Sequence, residues 1–368
     1  MSKKSKPKLR WLSILPAAMG ITAIAAACAP AGDTGKKDEE PQPQTFLTQN
    51  DFTYVAREAN DQQNGDTTYN KIKEIVKAAP LNATIFAEID HKKNSDDAKL
   101  SGDQALTTYN KVLVFGNART GTNLMVNSPG MGLELPLRIQ VFQTSDNKIW
   151  VSTNAVKGTL MEHNQMNETL ANNFVNAVNN VINQVAKPAV AGSPTLTIPS
   201  DKYEMPAQEV TIPEGSNAET VANNVFNGFR RQAAADANMV TPEANGQQLK
   251  DGAGVFAIID HKQNAINDKF PEQQTKFNNF NKVLIFGNAR AGTALIKAQV
   301  NLGLELPIRL HVYVQDNKVF VNTNAIVSVL TKYGDPSNEQ RNAMATTLSN
   351  GIKTNFLDQA NRFASENS

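Results

Sequence analysis

The sequence KVLVFGNARTGT at residues 111–122 returns as KVLIFGNARAGT at residues 282–293, about 170 positions later. The preceding stretch also occurs twice, as TIFAEIDHKKN at 84–94 and GVFAIIDHKQN at 254–264. Two more pairs follow: GLELPLRIQVF at 132–142 with GLELPIRLHVY at 303–313, and DNKIWVSTNA at 146–155 with DNKVFVNTNA at 316–325. A repeat of this length is a whole folding unit rather than one turn of a solenoid. We therefore expect two copies of one domain.

Each copy contains short apolar runs with the length of β-strands. The run before the glycine loop is apolar at nearly every position (112–115 and 283–286), which is typical of a strand covered on both faces. Paired runs on either side of an Asp-Asn sequence predict a β-hairpin in each copy. These paired runs are 135–142 with 149–153 and 306–314 with 319–323.

Amphipathic helices are predicted to open and close each copy, and Ser216 with Glu219 is a candidate capping box for the second opening helix. The apolar stripes are Ile72, Ile75, Val76 and Ala79, then Leu170, Phe174, Val178, Val181, Ile182 and Val185 in the first copy, and Val221, Val225, Phe226 and Phe229, then Met344, Leu348, Ile352, Phe356 and Phe363 in the second. Helices segregated around a sheet predict an α+β fold. We expect two tandem two-layer α/β domains, each a mixed sheet with a β-hairpin packed against helices.

The chain begins with a basic segment followed by an apolar run that contains Pro16 and Gly20. This run is short and interrupted for a membrane span and suits a secretory signal. Composition and the repeats divide the rest of the chain. The expected segments are a signal peptide at 1–27, a flexible tether at 28–45, the first repeat domain at 46–188, a proline-rich linker at 189–202 and the second repeat domain at 203–368, whose residues 203–212 add an edge strand.

The apolar run ends in Ala-Ala-Ala-Cys at residues 25–28, and Cys28 is the only cysteine. This ending resembles the lipobox of bacterial lipoproteins. The resemblance implies cleavage before Cys28, a lipid on its sulfur, and a place on the extracytoplasmic face of the bacterial cell membrane. The alternative is an ordinary signal peptide with an incidental cysteine. A single cysteine excludes an intramolecular disulfide.

Charge and motifs narrow the function classes. The 36 Lys and Arg residues balance 35 Asp and Glu residues, so the electrostatic footprint of a nucleic-acid-binding protein is missing. The sequence contains no HExxH, no Cys/His ligand cluster, no GxSxG elbow and no GK[ST] ending on its glycine loop. His163 and His311 do not repeat. We expect no cofactor or metal, and an enzyme has no motif in its favour.

The order of IDH, an FGN…GT loop, GLELP and a hairpin resembles the bacterial domain-of-unknown-function family numbered 302. Both copies match along most of the domain, about 280 residues in all. The resemblance implies a compact α/β fold and no established reaction. The family loop commonly reads GNP…GTP, whereas here Ala118 and Asn123 in the first copy, and Ala289 and Ala294 in the second, stand in place of its prolines.

The first candidate constellation is Asp90-His91, repeated as Asp260-His261 at the end of a predicted strand. Alternation along a strand points the two side chains to opposite faces, so they do not form a dyad with each other. Each histidine is either a structural residue at the sheet edge or a proton carrier or metal ligand. An enzyme that uses His91 and His261 as general bases is the least favoured function.

The second constellation is the Gly-Asn-Ala-Arg-x-Gly-Thr loop before a predicted short helix (123–126 and 294–298). Thr122 and Thr293 stand where an N-cap belongs. A helix N-terminus beside Arg119 or Arg290 suits an anion or carboxylate. The alternative is that these arginines brace the fold.

The third constellation is GLELP, where Glu134 and Glu305 lie four residues before Arg138 and Arg309. Alternation along the strand places each glutamate and arginine on one face. A structural ion pair within each copy is the expected reading, although each glutamate could instead face solvent or another cation. If the loop arginines brace the fold, Glu134 and Glu305 are their expected partners.

The recurrence of polar residues in both copies favours a surface-anchored binding protein for a small or anionic ligand. The alternative is a structural or interaction module in which the two domains pair. The candidate ligand-binding residues are Asp90, His91, Asn117, Arg119 and Thr122 in the first copy and Asp260, His261, Asn288, Arg290 and Thr293 in the second.

Overall fold

The computed structural model describes residues 53–126, 128–155, 157–162, 167–191, 193–197, 207–236, 253–267, 277–324 and 339–366. The expected signal peptide, the tether with Cys28, His163 and part of the linker lie outside these ranges.

The described helices and strands of the two repeats share a common order, to which each repeat adds elements of its own. In the first repeat they are β1 (Thr53–Val55), β2 (Arg57–Glu58), α1 (Gly65–Lys77), β3 (Thr84–Asp90), α2 (His91–Asp97), β4 (Asn110–Gly116), α3 (Ala118–Met125), β5 (Leu137–Gln143), β6 (Ile149–Thr153), α4 (Lys157–Glu162), α5 (Glu168–Asn183) and β7 (Thr195–Thr197). In the second they are β8 (Gln208–Val210), α6 (Ala218–Asp236), β9 (Ala253–Asp260), α7 (His261–Asn267), β10 (Asn281–Asn288), α8 (Ala289–Ala298), β11 (Ile308–Gln315), β12 (Lys318–Thr323), α9 (Glu339–Asn355) and α10 (Ala360–Ala364).

Each repeat forms a five-stranded sheet, in the orders β2-β6-β5-β4-β3 and β8-β12-β11-β10-β9. The α+β class is confirmed. The expected mixed sheets are instead antiparallel in every described pairing. The reason is the connectivity, because each consecutive strand from β3 to β6, and from β9 to β12, pairs with its neighbour as a meander. The edge strand predicted after the linker is confirmed as β8, which pairs with β12.

The hairpin turns confirm the Asp-Asn prediction. In the second repeat Gln315 pairs with Lys318, which leaves Asp316 and Asn317 as a two-residue loop. Their φ angles of 50° and 58° are those of a left-handed turn that matches strand twist, and Asn and Asp tolerate it well. In the first repeat Asn147 has φ 64° in a slightly longer loop.

One face of each sheet is closed by helices of the same repeat. In the first, Leu113, Ile139 and Val151 pack with side chains of α1 and α5. In the second, Leu284, Leu310 and Val321 pack with α6, α9 and α10. Most of the predicted helix stripes lie in or against these clusters, which confirms them as core contacts. The predicted capping box does not form, because Asn217 accepts the Thr220 N–H and Glu219 accepts the Phe280 N–H instead.

The opposite face of each sheet packs on the other repeat. The side chains that alternate with the helix-facing ones on β3 and β4 form one buried cluster with their equivalents on β9 and β10. Its buried members are Ile89, Val112, Val114, Ala257, Ile259, Val283 and Ile285. The central strands are therefore covered on both faces, as their apolar sequences predict.

Candidate functional site

The two aspartates of the Asp-His pairs are helix caps. Asp90 accepts the Lys93 N–H at 2.9 Å and lies 3.1 Å from the Lys111 ammonium. Asp260 accepts the Gln263 N–H at 2.8 Å and lies 2.9 Å from the Lys282 ammonium. Each aspartate thus satisfies an N–H at the start of a short helix and neutralises a strand lysine.

The two histidines cross from one repeat to the other. His91 Nε2 lies 3.0 Å from the Gly303 carbonyl oxygen, and His261 Nε2 lies 3.2 Å from that of Gly132. A carbonyl only accepts, so each Nε2 carries the proton and donates. Burial lowers the pKa of both rings to about 4, although the backbones of Leu306 and Leu135 add to the hydrogen bonds that favour protonation. Both histidines are therefore neutral at pH 7 and bind the partner repeat's GLELP segment.

The predicted helix after the glycine loop begins earlier than expected. Asn117 caps α3 by accepting the Thr120 N–H, and Asn288 caps α8 by accepting the N–H groups of Arg290 and Ala291. Thr122 and Thr293 are buried inside these helices, so the expectation that they are N-caps is wrong. The short amide side chain of asparagine reaches the first-turn N–H groups from an extended residue, and that fixes the start of the helix.

The loop arginines lie at the surface, whereas the two histidines are buried. Arg119 and Arg290 are exposed. Arg290 Nη1 donates to Gln104 Oε1 of the first repeat at 2.7 Å, and the neighbouring Lys297 donates to the Asp103 carbonyl. The second loop arginine therefore contacts the other repeat through a surface loop.

A small cleft does bring some of the candidate residues together, across the repeats. His91 of the first repeat lines it with Asn288 and Thr293 of the second, against the apolar wall of Phe256 and Leu348. The cleft is partly open to solvent, and its walls leave about 30 Å³ for water-sized groups, room for about two water molecules. Arg290 is outside its lining. The sequence did not predict that a histidine of one copy would meet the loop of the other.

The GLELP glutamates and the strand arginines form a closed ring of four charges. Within each repeat the predicted ion pair is present, with Arg138 Nη2 2.9 Å from Glu134 and Arg309 Nη2 2.9 Å from Glu305. The same nitrogens also reach across, at 3.3 Å to Glu305 and 3.1 Å to Glu134.

All four ring residues are at most 4% exposed. Ionised groups this deeply buried must be paired, because the loss of hydration costs several kcal/mol per ion. Each repeat contributes one glutamate and one arginine, so the ring is neutral. We call Glu134, Arg138, Glu305 and Arg309 the charge ring.

Buried amides extend the ring along the same face. Asn110 and Gln140 donate to the Val300 carbonyl, each at 3.0 Å, and Asn281 donates to the Pro129 carbonyl at 2.9 Å. His311 Nε2, 2.8 Å from Asn281 Oδ1, holds the place that Gln140 has in the first repeat. Sequence reasoning missed Asn110 and Asn281. The available signal was an asparagine repeated at the start of a buried strand.

The glycines of GLELP permit this close approach. A Cβ on Gly132 would lie 2.6 Å from Asn281 Oδ1, and one on Gly303 would lie 2.5 Å from Gln140 Nε2. Both distances are shorter than non-bonded atoms allow, so a side chain would push the repeats apart.

Neither a metal-ion site nor a membrane-spanning helix is found in the described ranges. Across them, no three His, Cys, Asp or Glu side chains are grouped to hold a metal ion. No described helix combines the length and apolar character that a bilayer crossing requires.

These observations define a class: a duplicated α+β protein whose repeats contact each other through a buried polar face. The chain belongs to the family described as "Domain of unknown function DUF302", whose sequence profile matches residues 58–185 and 245–354. It resembles the crystal structure of an uncharacterized conserved DUF302 protein from Bacillus stearothermophilus, with 11% identity and a TM-score of 0.29 over 41% of this chain and 94% of that one.

Curated relatives match a shorter part of the chain. The "Fluoride-specific ion channel FluC 1" proteins of Brucella suis and Brucella abortus are each 28% identical over 78 residues. That segment is 21% of this chain and 29% and 27% of the two relatives. The match therefore spans less than a third of the length of the relatives.

Proposed function

We propose that this protein is an interaction module in which the two DUF302 domains pair into one body, tethered outside the bacterial membrane through a lipid on Cys28. The charge ring is the observation that carries the pairing. Every one of its residues contacts both a residue of its own repeat and one of the other.

The repeated polar residues support this function over catalysis. His91 and His261 donate to backbone carbonyls of the opposite repeat, and Asn117 and Asn288 cap helices. A general base needs a ring nitrogen that can take a proton at working pH, whereas burial holds the pKa of these rings at about 4. The two histidine contacts join the repeats to each other.

The charge ring supports a specific pairing rather than a merely adhesive one. An apolar patch would pair in many orientations, but a buried charge is tolerated only where its partners meet it. Rotating one repeat against the other would break both cross-repeat contacts and leave Arg138 and Arg309 with only the glutamate of their own repeat. The ring therefore selects the observed arrangement against other ways of burying the same apolar strands.

A double-mutant cycle across the repeats tests this function. Glu134→Gln and Arg309→Gln, alone and together, are compared for their free energies of unfolding in the chain from residue 45 onward. Residues in one ion-pair network are coupled by about 0.5–3 kcal/mol, so we expect a coupling in that range. We also expect the single variants to separate the unfolding of the two repeats into two transitions.

The matched control is an exposed pair on one repeat, Lys318 and Glu209, which are 2.9 Å apart. The same cycle there should give about 0–1 kcal/mol. A coupling between Glu134 and Arg309 no larger than this control, with single-transition unfolding retained, would show that the ring does not join the repeats.

The membrane tether has a separate test. Changing Cys28→Ser in the full-length protein should move it from the membrane fraction to the soluble extracytoplasmic fraction and remove the mass of the lipid. Retention of the variant in the membrane fraction would exclude the lipid on Cys28 as the anchor.

Binding of a small or anionic ligand is the second candidate function, and the cleft between His91 and Thr293 favours it. The space between its walls admits a group of only a few atoms. Small anions such as phosphate and acetate should then raise the melting temperature, and Thr293→Val should abolish the rise while the unliganded fold persists. Thr122→Val is the matched change in the first repeat. If no anion raises the melting temperature, this candidate fails.

A further inference from the structure

We propose that the pairing face of each repeat also accepts the same repeat of a second copy of this chain. The partner is thus a second molecule, joined through first repeat to first repeat and second repeat to second repeat. This inference rests on the proposed pairing function and adds that the face is self-complementary.

The contacts across the face are reciprocal, as in an isologous interface. His91 donates to Gly303, and its equivalent His261 donates to Gly132, the equivalent of Gly303. Arg138 reaches Glu305, and Arg309 reaches Glu134. In each case the same residue type serves both directions.

The charges on the face are those of a self-complementary surface. A face that had to select only the other repeat could be acidic on one repeat and basic on the other, because like charges would then block self-pairing. Instead each repeat contributes one glutamate and one arginine to the ring. Two first repeats would close the same neutral ring with two copies of Glu134 and Arg138.

The apolar strip is also matched. Ile89 and Val112 of the first repeat correspond to Ile259 and Val283 of the second, and Val114 corresponds to Ile285, larger by one methylene group. If one repeat replaced the other, each of these side chains would change by no more than about one methylene group. Packed interfaces accommodate volume changes of this size.

The positions that differ still find acceptors. Gln140 Nε2 donates to the Val300 carbonyl of the second repeat, and Pro129 holds that place in the first. The Pro129 carbonyl already accepts from Asn281, so it is exposed to the opposite repeat in the same way. The bond is to a backbone carbonyl, which both residues carry, so it survives the exchange of Val300 for Pro129.

Reversing the charges of one repeat in the full-length chain tests the inference. Glu134→Arg with Arg138→Glu keeps the pair within the first repeat but opposes like charges across to the second. Each repeat can then match only its own kind, in another molecule. We expect a species with at least twice the mass of the unaltered protein in analytical ultracentrifugation. Adding Glu305→Arg with Arg309→Glu should restore the original mass.

The failures of the two proposals are distinguishable. A monomeric variant whose repeats unfold in two separate transitions would leave the pairing function standing and overturn self-pairing. A monomeric variant that still unfolds in one transition would overturn the pairing function itself.

A milder variant keeps the test decisive if the reversed ring prevents folding. Gly303→Ala places a methyl group against Asn110 and Gln140 and so disfavours the pairing within one chain, while two first repeats still fit. We expect dimers through the first repeat. Gly292→Ala is the matched control, because nothing lies within 4 Å of its added Cβ. Equal, monomeric masses for both glycine variants would overturn self-pairing.

Discussion

The two faces of β5 differ in what they require of a partner. Leu137, Ile139 and Val141 face helices of their own repeat, whereas Arg138 and Gln140 face the other repeat. The helix-facing side needs only apolar side chains of suitable volume, and such contacts tolerate substitution when the volume is kept. The repeat-facing side needs particular atoms at particular positions. The first face makes a domain stable, and the second determines what the domain pairs with.

The largest effect should come from the helix-facing side. Leu310→Ala removes a fully buried side chain from the core of the second repeat and should cost about 2–5 kcal/mol of unfolding free energy. Denaturant unfolding measures this cost. The comparison predicts that the second repeat loses stability while the mass and the ring contacts of the folded protein are unchanged. A change in mass would contradict the prediction, because it would mean that the helix-facing side also determines pairing.

The next largest effect should come from acid, which lowers the stability of the repeat-facing side. The folded-state pKa of His91 and His261 is about 4, below the unfolded value of 6.5, because burial penalises the charged ring. The unfolded chain thus binds more protons, and stability is full above pH 6.5 and falls as the pH drops toward 4. The loss should approach about 3 kcal/mol per histidine.

The test compares the pH dependence of unfolding free energy for wild type and His91→Gln. Burial also lowers the pKa of His261 and His311, so the slope between pH 6.5 and 4 is shared among the three histidines. We expect a shallower slope in the variant. An identical slope would mean that His91 is not buried as a neutral ring.

A smaller effect should follow from the helix caps. Asn117→Ala removes the side chain that accepts the Thr120 N–H and should cost about 1 kcal/mol. Asn117→Asp is the matched variant, since aspartate caps equally well and should retain most of the stability. Thermal unfolding measures both. Equal losses in the two variants would point to the Asn117 bond to the Leu81 carbonyl rather than to the cap.

The smallest effect should come from the outer surface. Lys318→Gln breaks an ion pair whose side chains are both about half exposed, and should cost about 0–1 kcal/mol. A chemical-denaturation measurement that matched the loss from Glu134→Gln would contradict the contrast between buried and exposed charges on which the pairing proposal depends.

Much of each repeat could be predicted from local sequence. The alternation of Leu113 with Val112 and Val114 requires a strand with two buried faces, and the Asp-Asn turns require hairpins. The helix starts were harder to predict from the sequence. Asn117 and Thr122 are both capping residue types, and only the backbone geometry shows which one is extended. The direction of the strands depended on which neighbours pair, which is a non-local choice.

The polar residues of the site divide in the same way into local features, which the sequence predicts, and non-local contacts, which it does not. The sequence predicted an ion pair between Glu134 and Arg138, and the pair forms although Glu134 lies before the start of β5. It could not place Glu305 beside Arg138, because 167 positions separate them and no local pattern specifies the contact. Likewise the sequence identified His91 as repeated, while its partner Gly303 is known only from the fold.

By itself, the sequence determined that this chain carries two copies of one α+β domain, because strand and helix periodicities are local consequences of which side chains must be buried. Only the tertiary structure decided that the repeated polar residues meet across the two copies. The physical reason is that a buried ion or amide is tolerated only where its partner is, and the partners here come from opposite repeats of the chain.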